Sequence, residues 1–307
     1  MAQGEAFKFC CTIIRDNDSA PNPVLDIVEE LDERCTFSLP ALADVNSTDE
    51  FKNDVFSVYF KWAESSQNAT MKLFRCDEEV KTLDNNDYGT FYELGFHQDD
   101  GKKYIGYKID WKKILEDPDL GEGEYYVLCE ATTATGQAAA SKQSFLWCLN
   151  QYQQHRADKT TRLEWTHDGI IGDWEKDTDI YSFDNWYGGL RIPNSIIYNE
   201  TYGKEYEERE FENGNTQDIL NEDVPQWDYQ IESAPWFLHR YLSLDVFKAE
   251  QILISDYNFR NPIKNMIQRS VKVSSDPDIT WNNGANPNGS LTVQMEQKVN
   301  RHKKRFC

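Results

Sequence analysis

This chain is poor in the spacings that carry chemistry. Its seven cysteines include no C-x-x-C pair, and none stands at zinc-finger distance from a histidine. The common structural zinc sites are therefore excluded. Its five histidines form no H-x-H or H-x-x-x-H pair, so a histidine-based metal site is not expected. No G-x-S-x-G elbow is present, and neither common glycine-rich phosphate loop, which removes the usual serine hydrolase and nucleotide signatures. The DNDS run at 16–19 lacks the glycine and downstream glutamate of a calcium loop. No apolar run is long enough to span a bilayer, and MAQGEAFKFCCTII lacks a basic stretch leading into a clean apolar run. Neither a membrane span nor a signal peptide is expected.

Positive charge is scarce as well. Lys and Arg number 32 against 53 Asp and Glu, a net charge of −21. Nucleic-acid affinity comes mainly from neutralising phosphates, so this balance argues against direct nucleic-acid binding and against anionic lipid. It fits high solubility or a basic protein partner. Hydrophobic residues make up 39% and aromatic residues 13%, so Trp, Tyr and Phe carry much of the burial, as in β-sandwiches and interfaces. Most cysteines lie inside apolar strand patterns such as KFCCTII and YYVLC. They read as buried free thiols, which implies synthesis in a reducing place.

A length of 307 residues allows two domains with two cores. The patterning divides it into an N-terminal β-sandwich domain, 1–158, and a C-terminal β-rich domain, 159–307. Strands are expected at 7–15, 35–39, 54–64, 71–75, 80–83, 91–96, 104–109, within 121–133 and at 144–152, from alternating apolar positions between turn residues. Residues 24–33 read as a helical turn or an irregular edge. Asp100-Gly101 marks a hairpin. Asp110 is an expected N-cap for a short helix over 110–116 that stops before Pro118. In GEGEYYVLC, Gly123, Tyr125, Val127 and Cys129 match the tyrosine corner of Ig-like sandwiches, with Val127 where a disulfide cysteine would stand. Residues 136–142 and 276–289 read as loops.

The middle stretch, 160–194, holds Trp165, Trp174 and Trp186, a His167-Asp168-Gly169 turn and the pair Gly188, Gly189. It reads as the junction of the two domains. Strands follow at 162–166, 181–192, 251–257, 269–273 and 291–296, with a helix over 234–248. Between 200 and 232 stand eleven Asp and Glu, among them Glu207, Glu208, Glu210 and Glu212, against Lys204 and Arg209. An exposed hairpin or a flexible arm is the natural form for such a charge run, either simply solvated or docking a basic partner. The tail Arg301, His302, Lys303, Lys304, Arg305 is basic.

Asp168, Asp173, Asp177 and Asp184 lie near three tryptophans, as a carboxylate pair beside stacking aromatics does in glycosidases. With so many acids and nine tryptophans such neighbours are unavoidable, and His167-Asp168 reads as a turn. No catalytic residue, metal ligand or cofactor is expected, and the chain is not expected to be an enzyme.

The stretches RLEWTHDGIIGD, YSFDNWYGGLRIPNSI, FLHRYLSLDVFKAEQILISDYNFRN and QKVNRHKKRFC, with FSVYFKW, GTFYELGF, YIGYKIDWKKIL and GEGEYYV in the first half, resemble a protein type encoded in the virion-morphogenesis regions of tailed phages infecting Bacteroidetes, including crAss-like phages. The resemblance is one of general pattern and carries over no functional residue. It implies a structural tail or neck protein that assembles as a ring in the virion, made in the host cytoplasm, with other copies of itself and neighbouring virion proteins as partners. A ring needs one face of a subunit to meet a different face of the next. Arg301, Lys303, Lys304 and Arg305 against Glu207, Glu208, Glu210 and Glu212 supply opposite charges for that contact. The alternatives are a carbohydrate-binding, adhesin-like sandwich and, behind it, a glycoside hydrolase.

Overall fold

The computed structural model describes residues 25–27, 38–63, 66–76, 78–84, 86–96, 102–133, 138–166, 188–210, 216–244, 246–249, 251–258, 267–282 and 288–298. It is mainly β, with three sheets and a few short helices. The strands are β1 (Leu25–Ile27), β2 (Ser38–Ala43), β3 (Val55–Ala63), β4 (Ser66–Arg75), β5 (Glu78–Thr82), β6 (Gly89–Phe96), β7 (Lys102–Asp110), β8 (Gly123–Thr133), β9 (Ala138–Gln143), β10 (Leu146–Gln151), β11 (Thr160–Thr166) and β12 (Gly188–Pro193). They continue as β13 (Ser195–Glu210), β14 (Thr216–Pro235), β15 (Gln251–Asp256), β16 (Arg269–Val273), β17 (Asp278–Trp281) and β18 (Asn288–Gln297). The α-helices are α1 (Trp111–Glu116), α2 (Gln154–Ala157) and α3 (Trp236–Leu244).

The chain divides into two compact units, Met1–Asp158 with Arg162–Pro193, and Lys159–Thr161 with Asn194–Cys307. Arg162–Pro193 thus belongs with the first unit.

In the first unit, one sheet runs β1-β3-β7-β6 and the other β2-β10-β8-β4-β5, with β9 on β8. In these two sheets β2 runs parallel to β10, while β1–β3, β3–β7, β6–β7, β4–β5, β4–β8, β8–β9 and β8–β10 are antiparallel. Aromatic rings fill this unit's interior. Trp111 of α1 meets Phe56 of β3, Trp147 of β10 and Tyr125 of β8 at centroid distances of 6.4, 5.4 and 6.1 Å. All four are fully buried, and each large side chain removed from water contributes roughly 1.5–3 kcal/mol. Asp110 caps α1, its carboxylate accepting from the Lys112 amide at 3.1 Å. The Tyr125 hydroxyl donates to the Gly121 carbonyl at 2.8 Å, the bond that defines a tyrosine corner. Burial pushes the Tyr125 and Tyr107 phenols up to about 12. Cys129 and Cys148 are buried free thiols, and burial raises the Cys129 thiol further.

Three local readings change. Residues 25–27 form a strand. The expected loops at 136–142 and 276–289 contain β9 and β17. Short Ala-rich and Asn/Gly-flanked segments carry little strand propensity of their own, and pairing to β8 and β18 supplies their order.

In the second unit the strands run β15-β16-β18-β14-β13, with β17 also against β18. Helix α3 starts directly after Pro235, the last residue of β14, where a missing N–H costs the helix nothing. Its residues Phe237, Leu238, Tyr241 and Leu242 are buried.

Candidate assembly surface

The acidic stretch forms an antiparallel ribbon. β13 and β14 pair continuously from Ser195↔Ile231 to Glu210↔Thr216, with irregularities at Tyr198/Thr201 and Glu207/Glu208. β18 supports only the lower part, pairing with β14 from Gln226 to Pro235. Among the described residues, Thr216–Pro225 therefore pairs with β13 alone. Ten residues at strand rise make a two-stranded extension of about 33 Å.

The root of this ribbon is held by buried polar contacts. The Thr161 hydroxyl meets the Ser195 hydroxyl at 2.7 Å and the Tyr229 hydroxyl at 2.9 Å. Burial raises the Tyr229 phenol. The Ile197 amide donates to Asp256 at 2.9 Å, while Trp227, Tyr229 and Ile231 fill the face beneath. Asn199 sits at φ +55° within the irregularity, a left-handed conformation that Asn tolerates. Just above it, Tyr202 is 63% exposed and stands opposite Pro225. At Gly203 a Cβ would lie 2.4 Å from the Gln226 amide nitrogen, so a side chain there would displace that amide. That amide donates to Glu296 of β18 at 3.2 Å.

In the ribbon's register Lys204 falls opposite Asp223, Glu205 opposite Glu222, and Glu208 opposite Asp218. Glu207 stands opposite Leu220, and Glu210 opposite Thr216. The structure thus brings Glu207, Glu208 and Glu210 together on one strand. Glu212 and the tail residues Arg301, Lys303, Lys304 and Arg305 lie outside the described residues.

Of the other constellation, only Trp165 falls among the described residues. His167, Asp168, Asp173, Asp177, Asp184, Trp174 and Trp186 also lie outside the described residues. Trp165 is committed to packing, being 3% exposed, with its indole where a Cβ on Gly188 would come within 2.2 Å. Among the described residues no group of three His, Cys, Asp or Glu is placed to hold a metal ion. No helix there is long and apolar enough to cross a membrane.

One charged cluster was not visible in the sequence. Asp54, at the entry to β3, and Arg191 of β12 are both fully buried and form two bonds of 2.8 Å. Asp54 also accepts the Leu42 amide at 2.8 Å. Arg162 lies 3.6 Å from Asp54 and 3.2 Å from Glu164, and it donates to the Glu50 carbonyl at 2.9 Å. Burial raises the Glu164 carboxyl, with Arg162 opposing the shift. Three hydrogen bonds and the nearby Arg162 guanidinium engage Asp54 from inside the fold, so the cluster ties β12 to β2 and β3 and reads as structural. A lone Arg in GGLRIP was its only trace in the sequence.

No protein-family model matches the chain, and no curated protein matches it.

Proposed function

We propose that the chain is a structural virion protein that forms a ring in the tail or neck of a tailed phage, joining copies of itself and neighbouring virion proteins. The observation that carries this reading is the β13–β14 ribbon. Among the described residues its strands of 16 and 20 residues outrun the β18 pairing that supports them, and the sequence of the ribbon is predominantly acidic. An acidic ribbon of this kind suits a connector, because a cationic surface complements its charge and an edge strand can accept another strand. The basic residues Arg301, Lys303, Lys304 and Arg305 of a neighbouring copy have the matching charge. The resemblance to phage virion proteins points the same way. Changing those four residues to Gln is expected to lower the assembled mass in light scattering at low salt. An unchanged mass in that variant would remove the contact.

A second reading rests on Trp281, which is 46% exposed on β17 and meets His239 edge to face at 5.5 Å. A ring held this way can stack on a sugar. Glycan-dependent quenching of its fluorescence, lost on Trp281→Ala, would favour a carbohydrate-binding role.

A further inference from the structure

Arg162 and Glu164 stand two positions apart on β11, so both side chains leave the same face of the strand. Both are buried, and so is Asp54 at the entry to β3. One guanidinium therefore lies between two interior carboxyl groups. Its Nη2 is 3.2 Å from Glu164, and its Nη1 is 3.6 Å from Asp54. The same Nη1 donates to the Glu50 carbonyl at 2.9 Å and to the Asn53 carbonyl at 3.3 Å. Arg162 thus reaches from β11 to the turn that leads into β3. At 3.6 Å its contact with Asp54 is one of charge and falls outside hydrogen-bond length. Burial raises the Glu164 carboxyl; Arg162 opposes the shift, while Asp54 and Glu50 add to it. On the facing strand β7, burial lowers Lys108, and Glu164 and Asp110 oppose that shift.

We propose that Arg162 is a proton-operated clasp between β11 and the turn before β3. With Glu164 ionised, the guanidinium is shared between two carboxylates. With Glu164 protonated, it turns to Asp54 and to the carbonyls of Glu50 and Asn53. Two anions compete for one cation, and neutralising one leaves the cation's field to the other. A small rotation of the guanidinium brings the Asp54 contact within hydrogen-bond reach. The grip of β11 on this turn is then firmer in mildly acidic solution than in neutral solution. Because burial raises the Glu164 carboxyl, the folded chain takes up this proton before the unfolded chain does. Stability from this group therefore rises as pH falls through the folded value and levels off below the unfolded one. The device lies within the first unit and stands apart from the ring reading.

The test compares the full-length parent with Glu164→Gln, which keeps the shape of the side chain and cannot ionise. As pH falls from about 8 to about 5, the parent's urea midpoint for the first unit is expected to rise relative to the variant's. His239 and the other titrating groups are common to both proteins and cancel in the comparison. Nitrogen NMR of side chains follows the clasp itself. The Arg162 guanidinium signal, assigned through its own backbone amide, is expected to move over this pH range in the parent and to stay in place in Glu164→Gln. A parent midpoint that holds constant or falls against the variant's would overturn the proposal. A guanidinium signal that moves equally in both proteins, or in neither, would overturn it as well.

Discussion

Arg191→Met removes the cation that two fully buried bonds hold against Asp54. The variant keeps most of the volume and leaves a carboxylate inside the first unit. Removing one partner of a buried pair costs about 3–5 kcal/mol, because the remaining charge has lost its compensation. Arg162, already 3.6 Å from Asp54, stays in place and takes up part of that charge, so the lower end applies, about 3 kcal/mol. For a unit of this size that lowers the melting transition by roughly 6–12 °C. Differential scanning calorimetry at neutral pH is the assay, following the first unit's transition. The Asp54→Asn, Arg191→Met double variant is expected to recover part of the loss. It removes both charges, and the amide oxygen can still accept from Leu42. A loss below about 1 kcal/mol in the single variant, or a double-variant loss equal to the sum of the two single losses, would refute the claim that this pair is a buried, mutually compensated staple.

His239 predicts a pH dependence in the second unit. The ring is buried, with Nε2 2.9 Å from the Gly289 carbonyl, and burial lowers its pKa despite the opposing backbone contacts. The unfolded chain then binds the proton more readily, so His239's contribution is full above its unfolded value near 6.5 and is lost as pH falls through the folded value. Urea midpoints for this unit are expected to fall less between pH 7 and 5 in His239→Gln than in the parent, and equal falls would refute the assignment. Tyr125→Phe is expected to cost about 0.5–1.5 kcal/mol through the lost bond to Gly121. A midpoint equal to the parent's would show that the corner contributes nothing.

What the sequence revealed and what it hid follow from the range of each interaction. Asp110 and Tyr125 were legible because their partners lie two and four residues away. The acidic run was legible as an exposed hairpin or a flexible arm, because charge density needs no fold to be counted. Its pairing with β18, and hence the unsupported upper edge of β14, depends on residues about 70 positions apart. Arg191 meets Asp54 across 137 positions, so nothing near GGLRIP could announce a buried pair. The first unit reclaims Arg162–Pro193 for the same reason, since Arg162 and Arg191 are anchored by residues around position 54. Strands β9 and β17 have weak local patterns and take their form from β8 and β18.

The central claim is that this chain joins to copies of itself through opposite charges. Light scattering across protein concentration and salt tests it most directly. The account predicts a mass that climbs in multiples of 35.8 kDa with concentration at low salt and falls back as salt screens the contact. A mass of 35.8 kDa at every concentration and salt would contradict it.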